Sequence, residues 1–280
     1  IPFTLSTMSM TSIEDLAKYL SKPFWFQLYV MKDKKFVENL IKRARAVGCK
    51  TLILTVDLQL LAQRHNDIRN GLSSPPKLTF KNIVNMGLHP AWCWKMINTK
   101  RRSFANIIGH TSNVSDNTKL SSWINEQFDL KLSWNDIKRF RDIWDGNLVI
   151  KGIMHPEDAI FAVEAGADAI IVSNHGGRQL DQTSSTINVL PEIVNVVNKK
   201  TEVWFDGGIQ SGQSLLKAIA LGAKIGLIGK SYLYGLAAGG EQGVTRCLEI
   251  IKKELDLTMA LCGCRDINQV NKTIIKKQKC

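Results

Sequence analysis

Strand-like and helix-like segments alternate along most of this 280-residue chain, and the alternation predicts an α/β fold. The strand-like runs are short, continuous and rich in Val, Ile, Leu or Phe, as expected of parallel strands buried on both faces. Polar residues follow several runs, and a parallel barrel builds its active site at that end of its strands. The seven runs are Pro2–Thr7, Phe24–Val30, Thr51–Asp57, Leu148–Gly152, Ala169–Asn174, Val203–Gly207 and Ile225–Gly229.

Amphipathic stretches lie between these runs and predict the helices. Gly48, Gly166 and Gly222 follow three of the stretches and are typical helix stops. Repeats of about 20 to 35 residues fit either a (β/α)8 barrel or a doubly wound sheet. A dinucleotide-binding version is disfavoured because no G-x-G-x-x-G motif opens a first helix. The clearest helical stretches are Phe36–Ala46, Pro156–Ala165, Val189–Val197 and Ser214–Leu221.

Residues 58–134 interrupt the alternation after the third strand and predict a large insertion. The chain carries a net charge of +12, and no acidic residue occurs between Ile68 and Ser115. A basic surface of this kind suits anionic lipid, nucleic acid or an acidic partner, and a solvated charged loop is the plainer alternative. The basic residues of this stretch are Arg69, Lys77, Lys81, Lys95, Lys100, Arg101 and Arg102.

The composition is that of an ordinary globular protein, with 44% hydrophobic and 22% charged residues. The longest apolar runs fall well short of the roughly 20 residues that a membrane-spanning helix needs. The six cysteines show no paired metal-ligand spacing, so no metal site is predicted.

The most specific segment runs from Ile171 to Asp181 and reads I-V-S-N-H-G-G-R-Q-L-D. In it an apolar strand leads into a turn that carries His175, two glycines and Arg178. An imidazole can take a proton from a neighbouring hydroxyl, and a guanidinium can hold a carboxylate through two hydrogen bonds. A histidine in a turn is often structural by itself, but with the adjoining glycines and arginine it predicts a site for one small molecule.

This segment is similar to the signature of the FMN-dependent 2-hydroxy-acid oxidases and dehydrogenases. Other segments resemble that family in the same order, and the likeness extends to about Ile267. Three segments most resemble the bacterial respiratory L-lactate dehydrogenases: Phe3–Thr7, His89–Trp92 and Trp144–Gly146. The other family-like segments are Thr4–Thr7, Phe26–Val30, Thr55–Asp57, Val149–Gly152, Asp206–Gly208 and Leu257–Leu261.

The resemblance implies a catalytic pair and three substrate-binding residues. His175 would take the proton of the substrate hydroxyl, and Asp57 would hold His175 and stabilise its protonated form. Arg178 would bind the substrate carboxylate, with Arg64 nearby in support. Tyr29 would donate a hydrogen bond to the substrate.

The resemblance also implies FMN as the cofactor. Lys151 would lie against N1 and O2 of the flavin, where a cation stabilises the anionic reduced ring. Contacts to the ring and the ribityl chain would come from Ser6, Gln27, Thr55 and Ser173. The ribityl-phosphate end would be lined by Asp206, Gly207, Gly208, Gln210, Gly229 and Lys230.

Four positions depart from the family pattern. Gln210 and Lys230 stand where the family usually has arginine, and Gln59 and Ala62 stand where it usually has Pro and Gly. A neutral amide cannot replace a guanidinium, and an ammonium gives a point charge instead of a fork. Charge-assisted bonds contribute roughly 1.5–3 kcal/mol each, so we expect FMN binding to be weaker by one to a few decades.

The implied architecture is a TIM (β/α)8-type barrel that lacks its first strand and N-terminal cap, with the large insertion after its third visible strand. We expect an FMN domain over residues 1–267, interrupted by the insertion at about 58–134, and a basic tail over 268–280. Exposed strands at an open barrel edge pair wrongly or aggregate, so we expect the isolated chain to bind FMN weakly or not at all. A homotetramer is implied by the resemblance alone.

The predicted function is FMN-dependent oxidation of L-lactate to pyruvate, with electrons passed to a respiratory quinone. The basic, tryptophan-containing insertion would contact anionic lipid at the cytoplasmic face of the inner membrane as a peripheral protein. Nucleic-acid binding is not expected, since no recognition motif accompanies the charge. Two alternatives stay open: a glycolate-type oxidase that uses oxygen, and a non-catalytic remnant or subunit of such an enzyme.

Overall fold

The computed structural model describes residues 1–60, 62–71, 79–99, 101, 103–110, 123 and 126–275. The chain divides into two compact units, Ile1–Leu132 and Ser133–Cys280. Within the described residues each unit alternates parallel strands with helices, and every one of the seven predicted strand runs contains a strand. The α/β prediction is therefore confirmed. Five strands are shorter than their predicted runs by one or two residues at one or both ends, whereas the fourth is longer by one residue at each end and the sixth begins and ends one residue earlier.

The described residues of the first unit form three parallel strands in sequential order. Leu5 lies opposite Phe26, and Phe26 lies opposite Leu52 in the neighbouring strand. All five residues of the third strand are buried, which explains why its sequence is continuously apolar. The elements are β1 (Thr4–Ser6), α1 (Ile13–Ala17), β2 (Trp25–Tyr29), α2 (Lys34–Ala46), β3 (Thr51–Thr55), α3 (His65–Arg69), α4 (Phe80–Gly87) and α5 (Pro90–Asn98).

Helix α2 shows how the local sequence sets an element in place. Its N-cap Asp33 accepts a hydrogen bond from the backbone N–H of Phe36, which satisfies one of the helix's unpaired amides. Arg43 and Arg45 lie in the last turn, where cations favour the helix dipole. Its apolar residues recur at helical spacing and form one buried face: Phe36, Val37, Leu40, Ile41 and Ala44.

The predicted insertion after β3 is confirmed, and its described part contains the short helices α3, α4 and α5. Their side chains are exposed or half-buried, and α4 and α5 contact each other. Thr79 caps α4 by accepting a hydrogen bond from Asn82 N–H, and Pro90 occupies the first turn of α5. Three of the basic residues predicted to form the basic surface, Lys77, Lys100 and Arg102, lie outside the described residues.

Over the part of the second unit that the structure describes, four parallel strands follow one another in sequential order, with Val149 opposite Ala169 and Phe205 opposite Gly226. Asp168 accepts hydrogen bonds from Arg141 and from Leu148 N–H, which ties a helix to the starts of two strands. The elements are α6 (Trp134–Ile143), β4 (Asn147–Ile153), α7 (Pro156–Glu164), β5 (Ala169–Val172), α8 (Thr186–Val197), β6 (Glu202–Asp206), α9 (Gly212–Ala220), β7 (Ile225–Leu227) and α10 (Ser231–Leu261).

The packing of α9 against α10 depends on a glycine. A Cβ atom placed on Gly212 would lie 2.0 Å from the backbone nitrogen of Leu255, so no larger residue fits there. Helix α10 bends at Gly239 and Gly240, whose backbone angles are not helical. After α10, the turn Lys272–Ile274 contacts α9. The predicted boundary at residue 267 stays a prediction.

Both units have buried apolar cores. Phe26, Leu28 and Leu52 are fully buried in the first unit, and Ile150 and Ile170 are fully buried in the second. Of the helices in the described residues, none combines the length and the apolar character needed to cross a membrane.

Candidate functional site

Three neutral side chains from neighbouring strands form a hydrogen-bonded relay in the first unit, which we call the Gln27 triad (Ser6, Gln27 and Thr55). The hydroxyl of Ser6 donates to Oε1 of Gln27 over 2.9 Å, and Nε2 of Gln27 donates to Oγ1 of Thr55 over 2.8 Å. Gln27 and Thr55 are buried, with 8% and 3% of their surfaces exposed. The two neighbours fix the orientation of the amide, and each of its polar atoms keeps further hydrogen-bonding capacity.

The backbone beside the Gln27 triad is held by Thr7, a residue to which the sequence analysis assigned no role. Its hydroxyl donates to the backbone oxygen of Gln27 over 2.8 Å and accepts from the N–H of Tyr29 over 3.2 Å. Thr7 is completely buried and fastens the end of β1 to β2. The sequence signal was weak, because a threonine after a strand is common and nothing local shows that its hydroxyl bridges two strands.

The other predicted residues of the first unit lie at or after strand ends. Tyr29 is the last residue of β2 and is half-buried. Asp57 follows β3 by two residues, and one of its carboxylate oxygens is buried from solvent. Arg64 stands immediately before α3 and is half-buried. Their predicted roles toward a substrate stay predictions.

A charged counterpart lies in the second unit, and we call it the Lys151 triad (Lys151, Ser173 and Asp206). Nζ of Lys151 lies 3.0 Å from Oδ2 of Asp206 and donates to Oγ of Ser173 over 2.9 Å. The Ser173 hydroxyl in turn donates to Oδ2 of Asp206 over 2.7 Å. The Lys151 and Asp206 side chains are only 15% and 16% exposed, so their charges are largely removed from water.

The Ser173 hydroxyl also accepts a hydrogen bond from the backbone N–H of His175, over 3.1 Å. One hydroxyl has a single donor and two acceptor sites, and all three are used here. Ser173 therefore orients Lys151, Asp206 and the start of the His175 turn at the same time. Its predicted direct contact with a flavin stays a prediction.

The turn that carries His175 has an unusual backbone. His175 has a φ of 58°, and Gly176 and Gly177 follow with φ values of 67° and 72°. A histidine in the left-handed region is uncommon, and such conformations cluster at functional sites. Asn174 holds the turn by accepting from the N–H of Gly177 over 3.1 Å. Arg178 follows immediately and is exposed.

Lys230 also reaches this turn, since its Nζ donates to the backbone oxygen of Gly176 over 3.2 Å. Thr186, like Thr7, was given no role by the sequence analysis. It is buried at the start of α8, and its hydroxyl donates to the backbone oxygen of Gly207 over 3.1 Å. The structure thus joins the ends of β5, β6 and β7. Gln210 lies nearby in sequence and is exposed.

The chain matches the family described as FMN-dependent dehydrogenase over residues 1–277. It belongs to this family. It is 40% identical to an L-lactate dehydrogenase of Ectopseudomonas mendocina (strain ymp) over 280 residues, which cover all of this chain and 74% of that protein. It is 42% identical over 272 residues to an L-lactate dehydrogenase of Pseudomonas aeruginosa (strain LESB58), covering 97% of this chain and 71% of that protein.

Solved structures agree with this assignment. A monotopic membrane protein, (S)-mandelate dehydrogenase, superimposes with a TM-score of 0.93 at 36% identity and covers 99% of this chain and 73% of that one. A mandelate oxidase superimposes with a TM-score of 0.79 at 34% identity, over 97% of this chain and 69% of that one. The family resemblance, the barrel-type α/β fold class and FMN as the family's cofactor are therefore confirmed.

The residues present fit FMN. A Cβ atom placed on Gly208 or Gly229 meets no other atom within 4 Å, so open space adjoins the backbone where the ribityl-phosphate end is expected. Gly208 has a φ of 93°, which a larger residue rarely adopts. Lys151 supplies a shielded cation, which suits the electron-rich end of a reduced flavin.

Proposed function

We propose that this FMN-dependent 2-hydroxy-acid dehydrogenase oxidises L-lactate to pyruvate and passes the electrons to a respiratory quinone. The observation that carries the proposal is the Lys151 triad, which joins a shielded cation directly to the His175 turn through the Ser173 hydroxyl. We propose L-lactate and not mandelate as the substrate because the matched L-lactate dehydrogenases are 40–42% identical to this chain, whereas the matched mandelate enzymes are 33–36% identical.

The substrate is held and deprotonated by side chains of the chain itself. Arg178, supported by Arg64, binds the carboxylate, and Tyr29 hydrogen-bonds the substrate. His175 accepts the hydroxyl proton, and Asp57 stabilises the imidazolium that forms. When bound, FMN supplies the acceptor for the two electrons and the hydrogen that leave the substrate Cα. Loss of that hydrogen and of the hydroxyl proton converts the hydroxy acid into the keto acid.

The cofactor is held by groups of different character. The Gln27 triad offers oriented neutral donors and acceptors to the flavin ring, and Lys151 places a positive charge where reduction adds negative charge. Asp206, Gly207 and Gly208 line the ribityl-phosphate end. Lys230 and Gln210 stand at the positions of the family arginines, so the phosphate is held less strongly than two guanidinium groups would hold it.

The test is an anaerobic flavin titration of the purified chain. We expect FMN to bind weakly, so the titration is carried to high FMN concentration. We expect the flavin absorbance then to bleach on addition of L-lactate, with weaker responses to L-mandelate and glycolate. Bleaching by glycolate or mandelate in preference to L-lactate would overturn the substrate assignment. Reoxidation by a soluble quinone analogue faster than by oxygen supports the quinone, and the reverse order supports the oxidase alternative. Bound flavin that no hydroxy acid bleaches would favour the non-catalytic alternative, which the departures at Gln210 and Lys230 also favour.

The insertion supports a second part of the proposal, peripheral contact with an anionic membrane at its cytoplasmic face. Helices α4 and α5 expose large apolar side chains next to lysines, a combination that suits the interface of an anionic bilayer. The (S)-mandelate dehydrogenase that this chain resembles is itself described as a monotopic membrane protein. The most exposed apolar residues of α4, α5 and the connection between them are Phe80 at 84%, Leu88 at 73%, Trp94 at 70% and Ile97 at 66%.

Vesicle flotation with a matched pair of variants tests this contact. Leu88→Ser removes an exposed leucine of the insertion, whereas Leu261→Ser removes one of similar exposure at the end of α10. We expect the chain to float with anionic vesicles, Leu88→Ser to float less and Leu261→Ser to float unchanged. A chain that ignores anionic vesicles would contradict the membrane contact. The homotetramer stays a prediction that light scattering after gel filtration can test.

A further inference from the structure

The end of the insertion is fastened to the loop between β2 and α2. Residues 126–128, which we call the return segment, meet this loop through main-chain and side-chain hydrogen bonds. Lys32 N–H donates to the backbone oxygen of Gln127 over 2.8 Å, and Asp33 N–H donates to Oε1 of the same residue over 3.2 Å. Nζ of Lys32 donates to the backbone oxygen of Glu126 over 2.6 Å.

The contact continues to the end of β2. Phe128 forms an isolated antiparallel bridge with Met31 and packs its ring against Tyr29 in a T-shaped arrangement. The two ring centroids are 6.1 Å apart and the ring planes meet at 84°. Phe128 is only 4% exposed, so the position of its ring is fixed by packing.

Tyr29 is therefore held from two directions. Its N–H donates to the buried hydroxyl of Thr7, which fixes the backbone, and the packed ring of Phe128 limits movement of the whole Tyr29 side chain about χ1. A tyrosine hydroxyl lies on the axis of χ2, so its position depends on χ1, and a small change in χ1 moves that hydroxyl away from a bound molecule. Substrate-positioning groups lose much of their effect when they are displaced by about 1 Å.

We propose that Phe128 is a positioning residue for the oxidation, which holds the Tyr29 ring so that its hydroxyl meets the 2-hydroxy acid. This inference rests on the proposed role of Tyr29 in substrate binding. Phe128 does not touch the substrate and acts through the ring that it packs against. The insertion then contributes to substrate binding through its return segment, in addition to any contact of α4 and α5 with lipid.

The chain supplies a matched control in a second T-shaped pair. Trp123 packs on Phe36 with ring centroids 5.5 Å apart and planes at 90°. Trp123 is 6% exposed, close to the value for Phe128, but its partner lies in α2 and has no proposed part in substrate binding. Phe128→Leu and Trp123→Leu therefore remove comparable aromatic contacts, of which only the first involves Tyr29.

The first readout does not depend on FMN or on turnover. The chain has four tyrosines, so ¹³C labelling of tyrosine rings gives a simple spectrum in which Tyr29→Phe identifies the signal of Tyr29. We expect Phe128→Leu to shift that signal, because the neighbouring ring current is lost, and Trp123→Leu to leave it in place. A Tyr29 signal that Phe128→Leu does not move would overturn the proposal.

The second readout is a double-mutant cycle on kcat/KM for L-lactate. We expect Phe128→Leu to lower kcat/KM by about 2- to 10-fold, the range that corresponds to one aromatic pair. Phe128→Tyr, which keeps the ring, retains most of kcat/KM. In a Tyr29→Phe background, Phe128→Leu causes no further loss, since the hydroxyl that it positions is already absent.

The outcomes separate this inference from the function on which it rests. Equal losses for Phe128→Leu in the presence and absence of the Tyr29 hydroxyl would show a general structural effect and overturn the positioning role. Effects of Trp123→Leu that match those of Phe128→Leu in both readouts would overturn it as well. Absence of flavin reduction in the unsubstituted chain, by contrast, overturns the proposed function itself and with it the substrate role of Tyr29.

Discussion

The Gln27 triad and the Lys151 triad each join three side chains from three consecutive strand segments, yet their chemistry differs. The Gln27 triad consists of two hydroxyls and an amide. The Lys151 triad contains an ion pair in which Nζ of Lys151 lies 3.0 Å from Oδ2 of Asp206. A neutral relay is directional and fixes how a ligand is oriented. A shielded ion pair instead sets the local potential, because charges interact strongly where water is excluded.

Two triads of similar layout can therefore act on a flavin in two different ways. Neutral hydrogen bonds to a flavin ring contribute about 1 kcal/mol each and change little when the ring is reduced. A cation contributes most where negative charge develops during the reaction, and such preorganised groups carry much of the rate enhancement of enzymes. We therefore expect the neutral triad to govern cofactor affinity and the charged triad to govern the rate of reduction.

The largest effect is expected from Lys151→Met, which removes the cation and leaves the carboxylate of Asp206 shielded without it. We expect the rate of flavin reduction by L-lactate to fall about 10²–10³-fold, as for loss of a group that stabilises developing charge. Anaerobic rapid mixing measures this rate. Lys252→Met, at an exposed position of α10, is the control. A rate within threefold of the unsubstituted chain would contradict the assignment of Lys151.

Gln27→Leu breaks the neutral triad and leaves the hydroxyls of Ser6 and Thr55 without the amide. Unsatisfied buried polar groups cost about 1–3 kcal/mol, so we expect the dissociation constant of FMN to rise about 5- to 100-fold. The reduction rate of the flavin that remains bound should change much less. Gln242→Leu, at an exposed glutamine, is the control in the same fluorescence titration. A larger effect on rate than on affinity would reverse the comparison.

Gln210→Arg restores the guanidinium that the family usually places after the Asp-Gly pair. One charge-assisted hydrogen bond to a phosphate contributes about 1.5–3 kcal/mol, reduced by the exposure of this position, so we expect FMN to bind roughly tenfold more tightly. Gln213→Arg adds the same charge at an exposed position three residues further on. Equal tightening by both variants would show general electrostatic attraction and not a specific phosphate contact.

The smallest effect concerns an ion pair of the first unit that lies outside its neutral triad. Arg43 donates to both carboxylate oxygens of Glu14, over 2.7 and 2.8 Å, and to the buried Asn106. The hydrogen bonds from Arg43 to the Glu14 carboxylate outweigh burial, which acts to raise the pKa, and lower the pKa of Glu14 from 4.5 to about 2. The Glu14 side chain is 45% exposed, so solvent screening limits the pair to less than about 1 kcal/mol.

The sign of the pH dependence follows from the lowered pKa. Stability from the Glu14 carboxylate is fully present above about pH 4.5 and is lost as the pH falls towards 2. The difference in free energy of unfolding between the unsubstituted chain and Glu14→Gln should therefore shrink over that window. Urea denaturation at several pH values measures it, with Asp15→Asn in an exposed pair as the control. A difference that stays constant down to pH 2 would contradict the assignment.

Much of the architecture follows from local sequence. Every predicted strand is present because a buried parallel strand needs a continuous apolar run, and Thr51–Thr55 is such a run. Helix α2 begins near its predicted start because Asp33 caps it, and it ends at Ala46 as predicted. Polar residues after the strands indicated the site, since parallel strands end at the same edge of a sheet.

The supporting residues of the site could not be predicted in the same way. Thr7, Phe128 and Thr186 act through partners about 20 or more residues away in the chain. No local pattern distinguishes a threonine that bridges two strands from one that merely ends a strand. Likewise, no local pattern marks the return segment, and its contact with Tyr29 exists only because the insertion folds back onto β2.

The sequence by itself determined the alternation of elements and the family, and it predicted the residues that would carry the chemistry, because apolar periodicity and a contiguous motif are properties of neighbouring residues. Only the tertiary structure decided that Ser173 joins Lys151, Asp206 and the His175 turn, and that Phe128 holds Tyr29. Such contacts arise when distant segments close loops and share one packed interior, and their geometry is set by that packing as a whole.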